Sequence, residues 1–130
     1  MCIKNYEFIR GTTCHFKFPL KCNFEELLTV EIVFWQIDND TMPIKKNLNH
    51  CKATDKPNEL SITLSQEETF KFSEKRKAHV QFRAVGPDGE CFGIKAQQIT
   101  VYPSYSNEHL GDMVLPEPVN GYIILDGENI

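Results

Sequence analysis

Apolar and polar residues alternate with a period of two through most of the first hundred positions, a pattern that predicts strands with one buried face. Ala78 to Val85 is the clearest case: Val80, Phe82 and Ala84 share one face, and His79, Gln81 and Arg83 share the other. Ser61-Ile62-Thr63-Leu64 alternates in the same way, and Tyr6 to Arg10 does so briefly. Cys14, Phe16 and Phe18 lie opposite Thr13, His15 and Lys17 until Pro19 ends the pairing. Leu28 to Ile37 is the longest candidate strand, with Val30, Ile32 and Phe34 on its apolar face. Pro43 to Lys46 and His50 to Ala53 read as short strands around Asn47-Leu48-Asn49. Phe92, Ile94 and Ala96 form one returning apolar face, and Ile99 and Val101 a further, final strand.

The breaks between these segments have their own chemistry. Gly11-Thr12-Thr13 and Gly86-Pro87-Asp88-Gly89 supply proline's preset φ or a glycine able to take positive φ, so the chain reverses there. Asn23-Phe24-Glu25-Glu26-Leu27 reads as a capped short turn. Ser65 followed by Glu68 is a capping box, in which the hydroxyl takes an orphan amide and the carboxylate reaches back to the Ser65 N–H. The helix it opens is about one turn long, because Thr69-Phe70-Lys71-Phe72 and a charged run follow. The expectation is an all-β antiparallel sandwich of about seven strands with one short helical turn and a C-terminal extension.

A chain of 130 residues, 41% hydrophobic and 25% charged, is sized for one domain that buries about two-thirds of its unfolded surface without staples. Charge divides the chain at its last predicted strand. All 14 Lys and Arg and 13 of the 18 Asp and Glu fall in 1–102, a net of +1; the other five acids, and no bases, fall in 103–130. The expected organisation is therefore a sandwich domain over 1–102 and an acidic extension or arm over 103–130. This balance argues against nucleic-acid and membrane partners. Five scattered cysteines without close pairs point to reduced thiols in a cytoplasm, and no signal peptide or apolar run near membrane length is seen.

LSQEETFKF, AHVQFRAVGPDGECFG and the closing QITVYP, with the opening YEFIRGTTCHFKFPL and VEIVFWQ, resemble small proteins from the tail and baseplate region of Firmicutes phages and prophages. The resemblance covers residues 5–102. It implies an Ig-like sandwich similar to the N-terminal module of baseplate upper proteins, and a structural role in a virion rather than catalysis. It further implies assembly in a bacterial cytoplasm followed by residence in the virion, with other phage structural proteins or a second copy as partner.

No residue constellation recommends an enzyme, a cofactor or a small-molecule substrate. Cys14-His15 and His50-Cys51 are zinc-type residues, but neighbours on a strand point to opposite faces and no knuckle spacing accompanies them. Lys71 to Lys77 is the only basic cluster and reads as a solvated loop. Protein docking has better candidates. With Val30, Ile32 and Phe34 inward, Val33, Trp35 and Ile37 form a second apolar stripe facing out, and tryptophan is a frequent anchor of interfaces. The extension carries Tyr122, Ile123, Ile124 and Leu125, either packing back on its own sandwich or adding a strand to a neighbour. The alternative to docking is a ligand-binding module, for example for carbohydrate, using Trp35, Tyr102, Tyr105 or Tyr122 as flat platforms.

Overall fold

The alternating segments pair into two sheets that face each other across a phenylalanine-rich core. The computed structural model describes residues 6–106, 108, 110 and 123–125. In chain order the strands are β1 (Glu7–Ile9), β2 (Cys14–Pro19), β3 (Thr29–Trp35), β4 (Ile44–Asn47), β5 (Lys52–Ala53), β6 (Glu59–Leu64), β7 (Ala78–Val85), β8 (Cys91–Tyr102) and β9 (Ile123–Ile124). One helix, α1 (Gln66–Phe70), and 3-10 turns at Phe24–Glu26 and Leu48–His50 complete the described elements. Five strands in the order β1-β8-β7-β3-β4 form one sheet, and four in the order β5-β6-β2-β9 form the other.

Inward residues meet where the alternation places them. Phe18 of β2 stacks on Phe82 of β7 with ring centroids 5.0 Å apart, and Phe16 meets Phe34 of β3 at 5.2 Å. Phe72, just after α1, packs edge-on against Phe8 at 5.1 Å and against Phe34 at 6.3 Å. Each such buried ring contributes on the order of 2–3 kcal/mol by apolar burial. The capping box forms as written: Glu68 N donates to Ser65 Oγ (3.1 Å) and Ser65 N to Glu68 Oε1 (3.0 Å). Gly89 takes φ +80° in the β7–β8 turn, and Glu90 N donates to Asp88 Oδ1 at 3.0 Å.

Three expectations need correction. First, the sandwich is not wholly antiparallel: β1 pairs parallel with β8, and β9 parallel with β2. These are the first and last strands, so no hairpin dictates their direction, and nearly the whole chain lies between partners. Second, Phe92–Ala96 and Ile99–Val101 are one strand, not two. Pairing with β7 runs Phe82↔Ile94 and then Val80↔Gln97, an extra residue on β8 that marks a β-bulge. The inward set therefore switches from Phe92 and Ile94 to Gln97, Ile99 and Val101, while Ala96 is exposed. Third, the long strand stops at Trp35, because Gln36 is drawn into a side-chain network and Asp38 takes φ +56°. Nine described strands stand against about seven expected; β5 and β9 have two residues each.

Candidate functional site

Two regions of the described surface carry apolar groups that the fold leaves uncovered. One is the end of β3. On its outer face Glu31 bonds Arg83 across to β7 (2.6 Å), and that hydrogen bond holds the Glu31 carboxyl below its usual value. Val33 lies between Gln81 and Lys45 on the flanking strands and is half-buried, so the apolar stripe is interrupted there. Trp35 is 45% exposed with its ring 5.9 Å from that of His79, and Ile37 is 52% exposed in the turn beyond the strand.

That strand end is fixed by residues the sequence reading passed over. Gln36 occupies the inward phase and is buried, yet its amide is fully satisfied. Its Nε2 donates to Ser73 O (2.7 Å) and Arg76 O (2.9 Å), and its Oε1 accepts from Ser73 N (2.8 Å) and Asn39 Nδ2 (2.7 Å). Asn39 Nδ2 and Thr41 Oγ1 both donate to Lys71 O, at 2.9 and 2.8 Å. The basic loop at 71–77 is thereby tied to the turn that presents Trp35 and Ile37. The signal was present in the sequence: a glutamine continuing the phase of Val30, Ile32 and Phe34 needs partners if buried.

The second region is the lateral opening between β1 and β9, where the outer strand of each sheet leaves a cleft of about 570 Å³. Phe8 and Cys14 form its inner wall; Ile9, Tyr102, Pro103, Tyr105 and Ile123 supply apolar lining, and Glu7, Thr13 and His15 polar groups. The Tyr102 hydroxyl donates to the Glu7 carboxylate, which pushes the phenol's pKa up. His15 Nδ1 lies 2.9 Å from Thr63 Oγ1. Burial, reinforced by the Lys52 charge, lowers the His15 pKa and so favours the neutral ring. Burial pushes the Cys14 thiol up to about 11, so it stays protonated and is a poor nucleophile. The cleft is chemically equipped to hold a ligand by contact and hydrogen bonding.

The other sequence candidates disperse. His50 Nδ1 accepts from Asn47 N (3.1 Å) and caps a 3-10 turn, away from Cys14-His15 on β2. Among the described residues no three His, Cys, Asp or Glu side chains gather where a metal could sit, and no helix is long and apolar enough to cross a membrane. Ile123 and Ile124 pair with Phe16 and Lys17 of the same chain, and Leu125 is fully buried with its N–H on Lys17 O at 2.8 Å. Tyr122 lies outside the described residues. The chain matches no family model and no curated protein sequence.

Proposed function

We propose that this chain is a non-enzymatic structural protein of a phage or prophage tail, baseplate or neck, an Ig-like module that works by docking against another structural protein or a second copy. The observation that supports this reading is the exposure of Trp35 and Ile37 on a strand end immobilised by the Gln36–Asn39 network. Preorganised aromatic and aliphatic groups of this kind lose little conformational freedom on association, which is what an interface anchor requires. Charged neighbours, the Glu31–Arg83 pair on the sheet and Arg76 beside Asp38 at 3.6 Å, would form the polar rim.

The test is mass spectrometry of purified particles after induction of the source strain. Peptides of the chain at stoichiometric level, lost when Trp35→Ala is introduced into a protein that still folds, are the expected result. Clear expression in the cell with no copy in intact particles would overturn the reading.

A further inference from the structure

Tyr102 and Tyr105 come together at the mouth of one cleft, with a carboxylate and an imidazole beside them. We propose that this cleft, between β1 and β9, is a binding site for a short neutral saccharide. It is separate from the docking surface at Trp35 and does not depend on it, since β7 and β8 lie between β3 and the cleft.

Four features select this ligand. Tyr105 is fully exposed at the rim and Tyr102 is 45% exposed, so both rings are accessible to a ligand from solvent. The face of an aromatic ring is electron-rich, and the C–H groups on one side of a pyranose are its natural partners. Glu7, Thr13 and His15 furnish acceptors and donors for hydroxyl groups, the mixture of a mostly apolar lining with a few polar groups that orients small ligands. Among the described residues no Lys or Arg lines the cleft while Glu7 does, which disfavours acidic sugars and phosphorylated ligands. At about 570 Å³ the space suits a unit of two or three rings.

The experiment is a two-dimensional amide NMR titration of the full chain. The probes are cellotriose, maltotriose, chitotriose and mannotriose, with trigalacturonate as the acidic control, each to about 5 mM, a range that reaches millimolar affinities. At least one neutral probe is expected to shift the amides of Ile9, His15, Tyr102 and Tyr105. Tyr105→Ala, which removes a fully exposed side chain, should weaken that binding by about tenfold, the upper range of one stacking contact. Trp35→Ala should leave it unchanged. The proposal fails if no neutral probe moves the cleft residues, if trigalacturonate binds better than all of them, or if Tyr105→Ala binds as well as the parent. It fails equally if the cleft amides shift with protein concentration alone, which would make the cleft a site for a strand of a second copy.

Discussion

The two lateral edges of the sandwich are built on opposite principles. On one side β4 and β5 belong to different sheets but are joined directly by the 3-10 turn at Leu48–His50, so the chain itself closes the corner. That side is guarded by Lys45, Lys46 and Lys52. Lys46 stands at an inward position opposite Ile32, where its Nζ meets Glu68 of α1 at 2.6 Å. Lysines on edges and inward-pointing charges are recognised protections against edge-to-edge pairing. On the other side β1 and β9 come from the two ends of the described chain, nothing described joins them, and the exposed large apolar groups are Ile9, Tyr102, Tyr105 and Ile124, with Glu7 beside them. A closed, charged edge resists pairing with another chain; an open, apolar edge leaves that protection out.

The largest test of this contrast is at Leu125. Its side chain is fully buried although it follows a two-residue strand, so with the partly buried Ile123 it seats β9 on the core. Leu125→Ala should destabilise the protein by about 3 kcal/mol in urea unfolding, within the usual range for a buried leucine. A loss below about 0.5 kcal/mol would show that β9 does not seat on β2, and the described edge would then be β2 itself.

Gly11 comes next. It closes the turn after β1 at φ +79°, and a Cβ there would sit 2.3 Å from Phe70 Cζ. Gly11 N donates to Thr69 Oγ1 (3.0 Å), which in turn donates to Thr12 O (2.8 Å), so the turn is bonded to α1. Gly11→Ala combines a left-handed backbone penalty with overpacking, and about 2–3 kcal/mol is expected from thermal unfolding. An effect under about 1 kcal/mol would mean that the β1 end of the open side is soft enough to move away.

How much of this was legible beforehand follows from the range of each interaction. Strand alternation, the Ser65–Glu68 box and the Gly86–Gly89 reversal are local, and they formed as the residues predict. The parity change between Ala96 and Ile99 was visible too, but a break in phase reads equally as a new strand or as a bulge; only pairing with β7 decides. Parallel pairing of β1 with β8 and of β9 with β2 joins residues about a hundred positions apart, and no local pattern encodes such a choice. The exposed apolar group was readable at Trp35, whereas the exposure of Val33 and Ile37 depends on cross-strand cover and on where β3 ends. The cleft draws on four separate segments of chain, so Tyr102 and Tyr105 could be noticed singly while their company with Glu7 and His15 could not.

A smaller effect is expected on the closed side. Burial by itself would raise the Glu68 carboxyl, but hydrogen bonds from Lys46 Nζ and the Ser65 N–H outweigh it and hold the pKa below the usual value. A depressed native pKa gives stability that is present above the unfolded value of about 4.3 and disappears as pH falls through the native one. Glu68→Gln should therefore cost about 1 kcal/mol at neutral pH, discounted for partial exposure of the pair. The difference from the parent should shrink toward zero in acid. A difference that persists unchanged in acid would assign the loss to the capping geometry of Ser65, leaving Lys46 without an electrostatic role.

The smallest change in stability carries the sharpest information about the edges. Ile124 is 47% exposed on the outermost strand of the open side, and Lys52 is exposed on the outermost strand of the closed one. Ile124→Lys and Lys52→Ile should each alter unfolding free energy by less than about 0.5 kcal/mol, as exposed substitutions generally do. Their effects on association should have opposite signs. Light scattering during refolding from urea should fall for Ile124→Lys, because a charge on a strand edge blocks pairing with another chain, and rise for Lys52→Ile, which removes that block. If only Lys52→Ile changes the scattering, the lysines guard an edge that would otherwise pair, and the apolar groups beside β9 are shielded from other chains. If only Ile124→Lys changes it, the covalent turn already closes the β4–β5 side and its lysines are incidental. Equal and opposite shifts would show that side-chain charge, rather than chain connection, decides which edge of this sandwich is open.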